Sequence, residues 1–363
     1  MESTASQPSS PANSRPAVTA VDTLRGLAIL AVLLCHAHQV HLRDSSLSEA
    51  LFGSGFLGVI LFFLLSGFCI HHPQVGATAL KTKPYLARRF FRIYPPYIVV
   101  VTVLFAVCAG IGKESGGPLN YVGHLFFWHY WGPASSEGMG ITPVLWSVAI
   151  EVQFYLMYLL LFPMLRRWGV LRCAMVWFVV DALYYGIYFG VGNGGGLPQP
   201  LRPNRFAPTR FGEWLLGAAL AEQLVRGRLG TRAVPWFLAA VLLITPSYVA
   251  AYHFRVMRDP AFDIPATLAL GCLFQAALVG QWKSRILEWI GARCYSIYLV
   301  HLPIVGVMGT ALNRISITAP FAHFCIAVGT ALAAGAIFYR WIELPSHAFA
   351  RRMGRSLESG AGV

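Results

Sequence analysis

From residue 22 to residue 342 the chain passes through one apolar run of about 20 residues after another, with no soluble-sized gap between them. About 20 apolar residues is what an α-helix needs to cross roughly 30 Å of hydrocarbon. Inside a bilayer a segment must satisfy its own backbone N–H and C=O groups, and a helix does so without any neighbour. The expected fold is therefore an all-α polytopic membrane protein, a bundle of about ten transmembrane helices. Composition agrees, with 56% hydrophobic and 12% charged residues and a mean hydropathy of +0.58. No soluble core could hide that much apolar surface.

Gly, Pro and charge punctuation divides the runs into spans near 22–41, 55–72, 94–112, 143–164, 170–190, 209–226, 234–252, 262–281, 293–312 and 320–342. Residues 1–20, rich in Ser, Pro and Ala and without the apolar region of a signal peptide, read as a disordered N-terminal tail. Residues 21–346 then form one membrane domain, and residues 347–363 a C-terminal cytoplasmic tail.

The formal net charge is +13, and its distribution says what it is for. Eighteen Lys and Arg residues fall in the even-numbered loops and at the C-terminal end, against eight in the odd-numbered loops. By the positive-inside rule both termini are cytoplasmic. The excess is then a topology signal, and without the aromatic–basic interleaving of a nucleic-acid binder no nucleic-acid partner is expected. The seven cysteines show neither CxxC pairs nor metal-ligand spacing with histidine, so no metal is expected.

Ionisable residues inside spans are costly and usually mark function. In RGLAILAVLLCH, Arg25 and His36 lie 11 residues apart. On a 3.6-residue helix that is about 1100°, roughly 20° from alignment, with a rise of about 16 Å. The cation and the imidazole share one face at different depths, while His38 points almost oppositely. Taken singly, Arg25 could snorkel to headgroups and His36 make a buried interhelical hydrogen bond; the shared face favours a joint role.

LWSVAIEVQFYL embeds Glu151 about two turns into the fourth span, and CYSIYLVHLP places His301 in the ninth. Trp146 and Tyr155 flank Glu151 and, with His301, are candidates for lining an acceptor cavity. KTKPYLARRFFRIYPPY is the densest basic segment, with Arg88, Arg89 and Arg92 in about one helical turn. It reads as a topology signal or anionic-lipid contact, or as a phosphate site, for which bidentate arginine is well suited. The Ser66–Gly67 pair suits close helix packing, and Glu343 in WIELP reads as a structural residue at a helix end.

Six motifs occur in order: R-x10-H at Arg25 and His36, the run ending Ser66-Gly67-Phe68, RRxxRIxPxY from Arg88 to Tyr97, WSxxxExxFY from Trp146 to Tyr155, YSxYLxHxP from Tyr295 to Pro303, and ExP from Glu343 to Pro345. Together they resemble the acyltransferase-3 family of bacterial integral membrane O-acyltransferases, over roughly residues 20–346. The resemblance implies about ten core spans in a bacterial inner or plasma membrane and an O-acyltransferase activity. It implies acetyl-CoA or another acyl-CoA as cytoplasmic co-substrate, with no bound cofactor. The acceptor would be a hydroxyl of a cell-surface or lipid-linked glycan, such as a lipopolysaccharide or exopolysaccharide, with a macrolide or other secondary metabolite as the alternative.

Some members carry a C-terminal soluble domain, whereas this chain extends about 20 residues beyond the tenth span. The membrane domain is then expected to complete the transfer itself or to pass the acyl group to a separate polysaccharide-assembly protein. In this reading Arg25, Arg88, Arg89 and Arg92 hold the donor. His36 acts as general base or acyl carrier, and Glu151 orients it or steadies its charged form. The rival is a proton-coupled transporter or flippase using Arg25, His36 and Glu151 as a relay, although no internal repeat of the transporter kind is evident.

Overall fold

The computed structural model describes residues 15–42, 46–112, 117–129, 143–190, 206–253 and 262–359. They form α1 (Arg15–His41), α2 (Ser46–Phe52), α3 (Phe56–His71), α4 (Thr82–Gly110), α5 (Gly117–Leu125), α6 (Trp146–Trp168) and α7 (Val170–Gly190). Then follow α8 (Ala207–Val225), α9 (Val234–His253), α10 (Asp263–Val279), α11 (Arg285–Gly291), α12 (Cys294–Arg314), α13 (Pro320–Phe338) and α14 (Leu344–Ser359). No strand occurs among the described residues, so the fold class is all-α.

Each of the ten apolar runs contains a helix. Seven segments are long and apolar enough to cross a membrane, those of α1, α3, α4, α6, α7, α12 and α13 running on into α14. In α9 and α10 the apolar stretches are shorter, and α8 carries Arg210, Glu213 and Glu222 along its length. Outward faces are apolar, as at Leu160, Leu183, Ile187 and Leu242, all more than 60% exposed. Such faces suit contact with lipid rather than water.

Helix α1 sits at the centre of the bundle, against α3, α10, α11, α12 and α13. Its Leu24, Ile29, Leu33 and Ala37 are fully buried, so the helix bearing Arg25 and His36 is held on most sides. Helices α3 and α8 pack backbone to backbone. A Cβ on Gly67 would lie 1.9 Å from the Trp214 carbonyl oxygen, and one on Gly217 only 1.8 Å from that of Leu64. Small residues at Gly67 and Gly217 are therefore what permits the approach.

The segment after α4 folds back along it. Tyr121 stacks on Phe105 and shares a 3.0 Å hydrogen bond with Thr102, while Tyr97 donates to the His124 carbonyl at 3.1 Å and packs on Phe127. Aromatic faces thus pin a polar connection against the bundle.

At the N-terminal end α1 begins at Arg15, inside the segment expected as a tail; residues 1–14 lie outside the described residues. At the other end the segment expected as a tail from residue 347 is helical through Ser359. Ser346, Ala350 and Gly354, four residues apart, form its buried face. Those small side chains let α14 lie close on α4, where Phe349 packs on Phe91, Ser346 donates to the Phe91 carbonyl and Arg88 pairs with Glu358 at 2.9 Å. Low overall hydrophobicity hid this helix, because its packing face is built from small rather than large apolar residues.

Candidate active site

Helices α1, α3, α4, α6 and α12 surround a cavity of about 90 Å³, lined by Arg25, Arg92, Ser147, Glu151, Tyr155, Tyr295 and Tyr298 among apolar residues of α3 and α4. At roughly 10–15 Å³ per water-sized sphere, that holds several waters or a slender chain. Arg25 and Arg92 bring fixed positive charge to it from two helices, and Glu151 the carboxylate. Arg25 is oriented by Asp22 one turn earlier, at 2.8 Å, and also donates to Cys69 Sγ at 3.2 Å.

Glu151 is held from two sides. Its Oε1 accepts from Ser66 at 2.9 Å and from Tyr155 at 2.5 Å. The Ser66–Gly67 pair therefore has two uses: the glycine closes α3 on α8 and the serine binds the carboxylate. Tyr155 also presents its ring to the Arg89 guanidinium, 6.0 Å from the ring centroid, within the range of a cation–π contact.

His36 meets His301. The two rings approach with Nδ1 of His36 3.0 Å from Nε2 of His301, and Nδ1 of His301 lies 2.7 Å from the Tyr298 carbonyl oxygen. A carbonyl only accepts, so His301 Nδ1 carries the hydrogen. His301 is completely buried, which makes the neutral ring the cheap form. Its Nε2 is then an acceptor, and His36 must donate from Nδ1. This fixes the tautomer of His36 and leaves the basic lone pair on its Nε2.

Tyr298 ties the pair to the cavity. Its backbone carbonyl holds His301, while its hydroxyl, in the cavity wall, donates to the Val144 carbonyl at 2.8 Å and shares a 2.6 Å hydrogen bond with Ser147. His301 is thus the residue that bonds His36 Nδ1, while Glu151 is held by Ser66 and Tyr155. His38, on the other side of α1, bonds Glu49 of α2 at 2.5 Å.

The three arginines of the basic segment diverge. Arg92 enters the cavity, Arg89 lies half-buried beside Tyr155 with its buried Nε lacking a hydrogen-bond partner, and Arg88 turns to Glu358 of α14. Trp146 begins α6, one residue before Ser147 of the cavity wall.

Glu343 sits in a π-helical turn (Tyr339–Glu343) joining α13 to α14. Its carboxylate accepts from the Ser296 N–H at 3.0 Å and the Ser296 hydroxyl at 2.5 Å, and so caps the first turn of α12 from another helix. This links the ExP motif to the helix that carries His301.

Sequence reasoning had given no site role to Ser147, Tyr295, Asp22 or Cys69, although the first two fall in the quoted motifs. The i, i+3 spacing of Asp22 and Arg25 was a readable signal. Tyr295 opens the YSxYLxHxP motif, but that its hydroxyl crosses to the Ile93 carbonyl at 2.9 Å depends on the distant α4.

Comparison with known proteins bears on the family to which the chain belongs. A family model described as an acyltransferase domain, that of the acyltransferase-3 family, matches residues 18–340. Acyltransferase MdmB of Streptomyces mycarofaciens is 28% identical, over 91% of this chain and 92% of its own length. Peptidoglycan O-acetyltransferase OatA of Listeria monocytogenes is 27% identical, over 92% of this chain but 56% of its own length. The chain thus spans nearly all of the first relative and about half of the second. No solved structure matches. With a family model covering residues 18–340 and all six motifs in order, the chain belongs to the acyltransferase-3 family of membrane acyltransferases.

Proposed function

We propose that this membrane acyltransferase moves an acyl group, acetyl first, from cytoplasmic acyl-CoA to a hydroxyl of a cell-surface or lipid-linked glycan. Its helices cross the bacterial cell membrane ten times, with both ends cytoplasmic. The observation that carries the reading is the His301–His36 hydrogen bond, which leaves a basic His36 Nε2 on the same helix as the Arg25 that lines the cavity.

In this account Arg25 and Arg92 bind the donor, whose extended pantetheine arm runs along α1 toward His36. His36 Nε2 takes the proton of the acceptor hydroxyl as its oxygen attacks the thioester carbonyl. The tetrahedral intermediate collapses with cleavage of the C–S bond, and the departing thiolate receives the proton back from Nε2. Ester and free CoA are the products, and the histidine returns unchanged. The Nδ1–H to His301 keeps Nε2 the reacting nitrogen throughout, as an orienting group does for a catalytic histidine.

The same lone pair suits direct attack, with the acyl group carried briefly on His36 as an acyl-imidazole before it passes to the hydroxyl. Label held on the protein in the absence of acceptor separates this from the general-base route. A glycan hydroxyl draws support from the relative named a peptidoglycan O-acetyltransferase. Near-full-length alignment to MdmB makes a small secondary metabolite such as a macrolide the second acceptor to try.

The test is to incubate membranes containing the protein with acetyl-CoA labelled on the acetyl group and a panel of glycans and small hydroxyl acceptors. Label in ester linkage on an acceptor is expected. Failure to bind acetyl-CoA, with no transfer to any acceptor, would overturn the reading in favour of a transporter.

A further inference from the structure

Away from the cavity, α7, α8 and α10 enclose four ionisable side chains that the acyl-transfer account does not use. Arg210, Glu213, Asp263 and Asp181 are each at most 7% exposed. The guanidinium is claimed on both edges: Glu213 Oε1 lies 2.9 Å from its Nε, with Oε2 3.2 Å from Nη2, and Asp263 pairs with Nη1. One cation therefore already serves two carboxylates, and Asp181 of α7 is a third.

Asp181 is directed into this cluster. Arg210 of α8 and Asp263 of α10 face it electrostatically, as do Glu213 and Tyr185 more widely around the group. Its Oδ2 lies 2.9 Å from where a Cβ of Gly212 would stand, so the absence of a side chain at 212 makes room for the carboxyl between Arg210 and Glu213. Its Oδ1 is buried without any hydrogen-bond partner.

Among the described residues one arginine faces these three carboxylates, and fully ionised the four groups carry two negative charges in excess. Uncompensated buried charge is among the most expensive arrangements in a protein. Among the described residues no group of three or more His, Cys, Asp or Glu is placed to hold a metal ion. We propose that the Arg210–Glu213–Asp263–Asp181 cluster is a proton-binding site in which Asp181 is held as a neutral carboxylic acid at neutral pH. The bearer is Asp181 because the other two carboxylates touch the guanidinium, and an orphaned oxygen costs far less on a neutral acid than on an ion.

Infrared spectroscopy of the purified full-length protein, with carboxyl-labelled aspartate incorporated, reads the five aspartates without the glutamates interfering, and Asp181→Asn picks out Asp181 among them. Expected is an isotope-shifted C=O stretch of a protonated aspartic acid that moves on exchange into D2O and is lost in Asp181→Asn. A spectrum at neutral pH with only carboxylate bands from aspartate, or an acid band retained in Asp181→Asn, would overturn the proposal. A wild-type spectrum without an aspartic-acid band overturns the proposal even if the variant does not fold. Because asparagine mimics the neutral acid, Asp181→Asn should also keep the wild-type melting midpoint, whereas Asp263→Asn, which strips an ion pair from Arg210, should lower it. A midpoint lowered as much by Asp181→Asn as by Asp263→Asn would show that Asp181 serves as an ion and contradict the proposal. None of these readouts depends on the acyl-transfer reading.

Discussion

In the proposed mechanism His301 orients His36 and His36 takes the proton, a division of labour with a kinetic signature. General acid–base catalysis is worth about 10²–10⁴-fold, so His36→Ala should lower kcat by that order with KM for acyl-CoA unchanged. His301→Ala should lower kcat by a smaller factor, again at constant KM, because Nε2 survives but its tautomer is no longer imposed; steady-state kinetics over both substrates checks the split. The donor arginines predict the opposite pattern. Arg92→Ala removes charge-assisted hydrogen bonds worth about 1.5–3 kcal/mol each, a rise of roughly 10- to 100-fold in KM for acyl-CoA. Arg88, partly exposed and paired with Glu358, should matter little by comparison, since exposed ion pairs contribute about 0–1 kcal/mol. Equal effects of Arg88→Ala and Arg92→Ala on KM would refute the separation of roles that their geometry implies. In the sequence these arginines looked alike, because spacing along a helix gives angle but not what each face meets. The Arg25–His36 alignment was legible for the converse reason, since both residues lie on one helix and need no partner to be placed.

At the scale of elements, two contacts hold the site-bearing helices in place. A methyl added at Gly217 would meet the Leu64 carbonyl at 1.8 Å, which neither backbone can relieve without separating α3 from α8. Overpacking of a close-fitted interior costs about 1–3 kcal/mol, so Gly217→Ala should lower the thermal midpoint of the purified protein. It should also depress transfer, because Ser66 rides on α3. Glu343→Gln tests the second contact. It keeps an acceptor for Ser296 but removes the charge from the cap, a loss of order 1 kcal/mol, read as a modest drop in midpoint with KM for acyl-CoA unchanged. The small-residue signal at Gly67 and the structural reading of Glu343 were available in the sequence because both are local. The π-helical turn, the folded-back α5 and the packing of α14 were not. Each depends on which distant helix lies opposite, and α14 lacks the large apolar residues by which a packed helix is usually noticed.

For the whole molecule, the lengths of the apolar runs make the all-helical class and ten helical segments readable along the chain, since hydrocarbon thickness sets the length directly. Arrangement was beyond it. Apolar faces that meet lipid and faces that meet other helices have the same composition, so the central position of α1 emerges only from packing. The proposed count of crossings rests on the apolar runs, and the proposed cytoplasmic location of both ends on the distribution of basic residues. Protease added outside sealed, right-side-out cells should leave tags at both termini uncut; cleavage of either tag would reverse that end. The most direct test of the account as a whole is acyl transfer from labelled acetyl-CoA by wild type and His36→Ala, both shown to be folded and inserted by equal melting midpoints. The account predicts labelled acceptor with the wild type and almost none with the variant, while the variant still binds acetyl-CoA. Undiminished transfer by His36→Ala would remove His36 from the chemistry and contradict the central claim.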